Sequence, residues 1–140
     1  MKAASKDERE TLADFAERYR TRASSRTFDE IERAVIGEAW GANGFTTVDQ
    51  ARRLLLKLDL RPKRRLLDVG SGCGWPGLFL ARETGCDVVV SDLPLDGLEM
   101  ANRRAESEGL KMLGAVASSA RHFPFAEGSF DAIVHVDVIC

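Results

Sequence analysis

With 140 residues, the chain has room for one domain, and its 44% hydrophobic and 30% charged residues exclude collagen-like, low-complexity and mostly disordered classes. The net charge of −2, and the lack of an apolar run near the roughly 20 residues that span a bilayer, predict a protein with no nucleic-acid or membrane partner. There is no signal-peptide core, and no metal or redox spacing among Cys73, Cys86 and Cys140, so we expect reduced thiols, no bound metal and a cytoplasmic location.

Residues 1–60 are predicted to form an N-terminal helical segment that acts as a cap or lid. The first helix should cover about residues 7–20, with a weakly amphipathic pattern and fraying ends. Residues 39–45 are rich in Gly and Asn and are predicted to form a loop.

Two capping boxes indicate where the next helices begin. Thr27 with Glu30, and Thr47 with Gln50, both place a hydroxyl and a longer polar side chain three residues apart, as helix starts often do. Behind each box, apolar residues recur at helical spacing, so one face of each helix should be buried.

Residues 61–140 change to an alternation of strands and helices. Short apolar runs that stop at turn residues are typical of buried parallel strands, and the helices between them imply crossover connections. The predicted strands cover residues 66–69, 87–90, 112–117 and 132–134, and the predicted helices cover 76–84 and 95–109. The fold class is therefore α/β, with a doubly wound, mostly parallel Rossmann-like sheet.

A glycine-rich loop follows the first predicted strand. Gly70, Gly72 and Gly74 allow a sharp turn that brings bare backbone against a ligand, and the helix that follows adds unpaired amides. This pattern alone does not identify the ligand, because Gly72, Gly74 and Gly77 also fit the G-x-G-x-x-G spacing of dinucleotide binders. An NAD-dependent oxidoreductase is therefore an alternative at this point.

Two acidic residues at strand ends favour a different ligand. Asp68 directly precedes the glycine turn, where its charge would repel a pyrophosphate but tolerate a cationic amino group. Asp92 ends the second strand at the same edge of the sheet, where a carboxylate accepts both hydroxyls of a ribose. The expected ligand is a nucleoside with a cationic amino-acid tail and no phosphate, held in a crevice that both acids flank.

Residues 64–140 resemble the class I S-adenosylmethionine-dependent methyltransferases, and most closely the small-molecule branch that includes quinone-type enzymes. The resemblance rests on the motifs at residues 68–74, 117–125 and 128–134, together with Asp92. It implies S-adenosylmethionine as cofactor and methyl transfer to a small-molecule acceptor. The implied cofactor-binding residues are Asp68, Gly70, Ser71, Gly72, Gly74, Asp92, Leu93, Ser119, Ala120 and His135.

The resemblance also implies a role for each position. The three glycines line the methionine part, Asp92 holds the ribose and Leu93 packs on the adenine. Ser119 replaces an Asp that many members direct at the adenine amino group, and the Ala120 amide serves the adenine ring. His135 lies near the sulfonium and is the candidate general base.

Trp40 and Phe45 are either part of a lid over the cofactor or packing residues of the helical segment.

The resemblance implies a seven-stranded sheet, of which this sequence supplies four strands. We therefore expect residues 61–140 to be a half-domain, incomplete at its C-terminus, with an exposed edge at the fourth strand that invites a homo-oligomer. An alternative function is a truncated S-adenosylmethionine-binding or assembly module without independent activity.

Overall fold

Four parallel strands form one sheet in the computed structural model, which describes residues 6–138. They are β1 (Arg65–Val69), β2 (Asp87–Asp92), β3 (Met112–Ala117) and β4 (Ala132–Val134), in the order β3-β2-β1-β4. β1 pairs in parallel with both β2 and β4, and β2 pairs with β3. The predicted α/β class and all four predicted strands are confirmed.

Five α-helices accompany the sheet. They are α1 (Lys6–Arg22), α2 (Arg26–Ile36), α3 (Val48–Leu55), α4 (Gly77–Thr84) and α5 (Leu95–Glu108). Helices α4 and α5 connect parallel strands, and each ends at a glycine in the left-handed conformation, Gly85 and Gly109 respectively. The described part of the chain has no helix that is long and apolar enough to cross a membrane.

One of the two predicted capping boxes is present. The Thr47 hydroxyl accepts from the Gln50 N–H at 3.2 Å, and the Gln50 side chain accepts from the Thr47 N–H at 2.8 Å, so α3 starts as predicted. The box at Thr27 was wrong. Helix α2 begins earlier, with Ser25 as its N-cap, because the Ser25 hydroxyl accepts from the Phe28 N–H. Thr27 therefore lies inside the first turn.

The helical segment shares one core with the sheet. Trp40 is fully buried, and its ring centroid lies 5.4 Å from that of Trp75 and 6.1 Å from that of Phe79. The guanidinium carbons of Arg82 and Arg104 lie 5.0 Å and 4.4 Å from the Trp40 ring centroid. Of the two interpretations of Trp40, the structure therefore supports packing, since this side chain has no exposed surface.

The two free thiols that the structure describes, at Cys73 and Cys86, are both buried, whereas Cys140 lies outside the described residues. The sheet order places β4 at an edge, as expected, and Ile133 on that strand is 58% exposed. Helix α2 differs from its prediction. Only Ile36 of its apolar stripe is buried, and Ile31 and Val35 are more than half exposed.

Candidate functional site

A cavity of about 680 Å³ lies at the carboxyl edge of the sheet. Its floor is the loop after β1 and the end of β2, which is the place where open α/β sheets bind ligands. Its walls come from α1, the loop before α3 and the segment after β4. The lining residues are Thr11, Leu12, Phe15, Arg18, Tyr19, Ala42, Asn43, Gly44, Phe45, Gly70, Ser71, Gly72, Cys73, Trp75, Asp92, Leu93, Pro94, Val136, Asp137 and Val138.

The glycine loop is hydrogen-bonded directly to the neighbouring strand β2. The N–H groups of Gly70 and Ser71 both donate to the Ser91 carbonyl, at 2.7 Å and 3.1 Å. Gly72 has a φ of +52°, a conformation that glycine adopts without the steric cost that a side chain adds. A Cβ at Gly72 would lie 2.7 Å from the Tyr19 hydroxyl, so this turn also needs glycine because α1 packs directly on it.

Asp92 connects β2 to the glycine loop. Its Oδ2 accepts from the Gly72 N–H at 2.6 Å, and its Oδ1 accepts from the Leu93 N–H at 2.7 Å. Burial raises the pKa of this carboxyl group above its usual value, and the two backbone hydrogen bonds oppose that rise. Each carboxylate oxygen keeps a further lone pair, so Asp92 remains able to accept from ligand hydroxyls in the cavity.

Asp68 does not share the cavity with Asp92, which corrects the expectation that both acids flank the crevice. Its side chain is buried and its Oδ2 accepts from the Gly77 N–H at 2.7 Å, so it lies behind the loop and caps the start of α4. Burial raises the pKa of Asp68 to about 8, and Oδ1 has no hydrogen-bond partner among the described residues. Because burial raises the pKa of Asp68, this carboxyl group has less tendency to carry the negative charge that would repel a pyrophosphate.

Helix α1 belongs to the segment that the sequence predicts as a cap or lid, and it contributes a cavity wall whose individual residues the sequence did not single out. Tyr19 is buried against the glycine loop, and this burial raises the pKa of its hydroxyl well above its usual range. Phe15 and Leu12 line the same cavity, one and two helical turns before Tyr19 respectively. The spacing of these three residues (i, i+3, i+7) was the available signal, but the many charged residues of α1 obscured it.

Asp137 joins the helical segment to the end of β4. Its carboxylate accepts from the backbone N–H groups of Phe45 at 3.1 Å and Thr46 at 3.0 Å. Gly44 lies so close that an added Cβ would clash with the Asp137 side chain. Phe45 itself is 83% exposed and lies at the mouth of the cavity. No local pattern in the sequence predicts this contact, because it joins two loops about 90 residues apart.

The predicted site residues divide into two groups. The cavity brings together Gly70, Ser71, Gly72, Asp92 and Leu93. The other five lie outside its lining, namely Asp68, Gly74, Ser119, Ala120 and His135, and their ligand roles stay predictions.

Local packing explains where these five lie. Gly74 faces the helices, since an added Cβ would meet Leu78 and Ala101. The Ser119 hydroxyl accepts from the Arg121 N–H at 3.2 Å within the loop after β3. His135 is exposed just beyond Val134, the last buried residue of β4. Among the side chains that the structure describes, no three from His, Cys, Asp or Glu cluster as metal ligands do.

A family model, curated relatives and solved structures all relate this chain to methyltransferases. A family model described as "Methyltransferase domain" matches residues 66–140. Methyltransferase GfsG of Streptomyces halstedii is 39% identical over 82 residues, which is 58% of this chain and 30% of that protein. Demethylmenaquinone methyltransferase of Thermus thermophilus is 37% identical over 83 residues, 59% of this chain and 37% of that protein.

A solved structure supports the same relationship. The SAM-dependent methyltransferase from Thiobacillus denitrificans, solved in complex with S-adenosyl-L-homocysteine, matches with a TM-score of 0.60 and 26% identity. The match covers 81% of this chain and 44% of that one. This chain thus spans about a third of the curated relatives named above and less than half of this structure. Since the family model matches more than half of the chain, the chain belongs to the class I S-adenosylmethionine-dependent methyltransferases.

Proposed function

We propose that this chain binds S-adenosylmethionine in the cavity at the carboxyl edge of the sheet and transfers its methyl group to a small-molecule acceptor. The observation that carries the proposal is the junction of Asp92 with Gly72 in the cavity floor. This junction places a carboxylate that can bind ribose hydroxyls beside a glycine turn. Because its glycines have no side chains, the turn leaves room for the amino-acid tail.

The polar groups of the cavity support this ligand. The Ser71 hydroxyl is buried, lines the cavity and has no hydrogen-bond partner among the described residues. A buried polar group without a partner is rare in folded proteins, and it is explained where a ligand completes it. Leu93, 47% exposed beside Asp92, offers an apolar surface for the adenine ring.

When bound, S-adenosylmethionine supplies a methyl group on a sulfonium, which an acceptor displaces in line. The residues of the chain then have to orient the two reactants and exclude water. Tyr19 and the loop at residues 43–45, which the Asp137 carboxylate holds, line the cavity and reduce its exposure to water. His135 is proposed as the general base only for an acceptor that must lose a proton.

The acceptor that we propose is at least partly apolar. Leu12, Phe15, Phe45 and Val138 contribute apolar side chains to the cavity lining. Such a surface favours an apolar molecule, in agreement with the quinone-type branch that the sequence resembles. The buried free thiols of Cys73 and Cys86 support a cytoplasmic location for the reaction.

The similarity of this chain to methyltransferases, in its family model and in its curated relatives, disfavours the NAD-dependent alternative. An assembly module without its own activity is a second candidate function, favoured by the exposed edge at β4.

Calorimetric titration of the folded 140-residue chain tests the proposal. We expect saturable heat with S-adenosylmethionine and with S-adenosylhomocysteine, and no change in NADH fluorescence on addition of the protein. A folded sample that gives no heat with either sulfur ligand contradicts the proposal. Binding without methyl transfer to any quinone-type acceptor favours the assembly module instead.

A further inference from the structure

Asn43 lines the cavity, and Arg22 on α1 fixes the orientation of its side-chain amide. Arg22 Nη1 donates to the Ala42 carbonyl at 3.0 Å and also to the Asn43 side chain. A guanidinium group has donors only, so the Asn43 atom that faces it must be the carbonyl oxygen. The amide nitrogen, Nδ2, therefore points away from Arg22.

The Nδ2 atom of Asn43 is buried and has no hydrogen-bond partner among the described residues. Burial raises the pKa of Tyr19, and the nearby Asn43 amide partly opposes that rise, but the geometry between the two groups does not complete a hydrogen bond. A buried donor without an acceptor carries a desolvation penalty that a ligand acceptor would remove.

The position of Asn43 identifies the part of the ligand that it meets. Asn43 lies near Tyr19, and the Tyr19 hydroxyl stands over Gly72, so the amide belongs to the glycine-loop side of the cavity. The Ser71 hydroxyl also has no hydrogen-bond partner among the described residues, and Ser71 directly precedes Gly72 in the glycine loop. The amide N–H of Asn43 can only donate, and the Ser71 hydroxyl can donate as well as accept. Together they fit a carboxylate, whereas the amide N–H cannot accept from an ammonium group.

We propose that Asn43 and Ser71 together bind the carboxylate of the amino-acid tail of S-adenosylmethionine, an inference that rests on the proposed function. Arg18 is the one cationic side chain of the described cavity lining, but it is exposed and its guanidinium carbon lies 5.4 Å from the Phe15 ring centroid. Asn43 thus makes the loop before α3 part of the cofactor site.

The test uses a variant that keeps the loop anchored but removes the donor. In Asn43→Asp, a carboxylate oxygen still accepts from Arg22, while no N–H remains for the ligand. We expect at least tenfold weaker binding of S-adenosylhomocysteine, because a charge-assisted hydrogen bond is lost and a like charge is added. Binding of 5′-methylthioadenosine, which keeps the nucleoside thioether and lacks the amino-acid tail, should stay unchanged.

Two further variants make the result decisive. Asn102→Asp places the same charge change on the exposed face of α5 and should alter neither affinity. Ser71→Ala removes the second donor without adding charge and should also weaken only S-adenosylhomocysteine, which preserves the test if Asn43→Asp disturbs folding.

The outcomes separate this inference from the proposed function. The carboxylate assignment is supported if the wild type binds both ligands, while Asn43→Asp and Ser71→Ala each lose affinity only for S-adenosylhomocysteine. If the wild type binds but these variants keep their affinity for S-adenosylhomocysteine, or lose both ligands equally, the assignment is overturned while the cofactor site stands. A folded wild type that binds neither ligand overturns both.

Discussion

The carboxylate of Asp92 accepts a 2.6 Å hydrogen bond from the backbone N–H of Gly72, which joins the end of β2 to the loop after β1. This bond holds the glycine turn open toward the cavity and keeps the carboxylate at its floor. Two strand ends that are neighbours in the sheet thereby form one continuous part of the cavity floor.

Replacing Asp92 by Asn should weaken cofactor binding strongly. The amide would turn an N–H donor toward either the Gly72 N–H or the Leu93 N–H, and both of these also donate. We expect at least a tenfold loss of affinity for S-adenosylhomocysteine by calorimetry, from about 1.4 kcal/mol or more of lost interaction. Asp49→Asn, on the exposed side of α3, is the matched control, and equal affinity in both variants would contradict the role of Asp92.

The buried carboxyl group of Asp68 should make the protein less stable as the pH rises. Its pKa is about 8 in the folded state, against about 4 in an unfolded chain. The folded state therefore binds the extra proton between these values. The stabilising contribution is complete below about pH 4 and is lost as the pH rises through 8, with a slope of up to about 1.4 kcal/mol per pH unit.

Asp68→Asn isolates this effect, because its amide oxygen still accepts from the Gly77 N–H but the side chain does not titrate. Urea unfolding between pH 5 and 9 should show a flatter dependence in the variant. Burial also raises the pKa of Asp92, so Asp92 lowers the stability of both proteins as the pH rises. This contribution cancels when the two proteins are compared. Parallel pH dependences would contradict the raised pKa of Asp68.

Gly72→Ala should destabilise the fold through α1. The new methyl group would combine an unfavourable positive φ with a 2.7 Å approach to the Tyr19 hydroxyl. We expect a loss of about 2–3 kcal/mol in the free energy of unfolding. Gly128→Ala, at a φ of +70° with open space around it, measures the cost of the backbone alone. If Gly72→Ala costs no more than Gly128→Ala, α1 does not pack on the loop.

His135→Ala should leave cofactor affinity within about twofold of the wild type. The imidazole is exposed and lies outside the cavity lining, and surface substitutions usually change free energies by less than about 0.5 kcal/mol. Calorimetry with S-adenosylhomocysteine measures it directly. A tenfold loss would place His135 in the cofactor site, as the family resemblance implies.

The edge at β4 should promote self-association of the 140-residue chain. Ile133 is 58% exposed on an edge strand with free backbone groups, a surface that invites pairing with a second copy. Sedimentation at tens of micromolar should show dimers that Ile133→Lys reduces. Leu113→Lys, on the opposite edge strand, should change sedimentation less. A wild type that is a monodisperse monomer would contradict this prediction.

The parts of the fold set by local patterns could be predicted from the sequence. Residues close together in the chain are enough to identify the apolar strands, the turn at Gly70 and Gly72, and the position of Asp92 at a strand end. The capping box at Thr27 failed because a competing hydroxyl, Ser25, lies two residues earlier and starts the helix there.

The long-range contacts of the site could not be predicted in this way. Asp68 faces the start of α4 because the loop turns back over it, and sequence position alone could not distinguish this from the cavity side. Tyr19, Asn43 and Asp137 enter the site from segments far from the glycine loop. Their roles depend on how the helices pack on the sheet. The spacing of Leu12, Phe15 and Tyr19 indicates one face of α1, but it does not say what that face packs against.

The most direct test of the central claim maps the ligand onto the backbone. Titration of the isotopically labelled protein with S-adenosylhomocysteine, followed by amide chemical shifts, should give the largest changes at residues 70–73 and 92–93. Helix α3, away from the cavity, serves as the internal reference. A folded protein whose shifts stay unchanged, or change only outside the junction of Asp92 and Gly72, would contradict a cofactor site at this edge of the sheet.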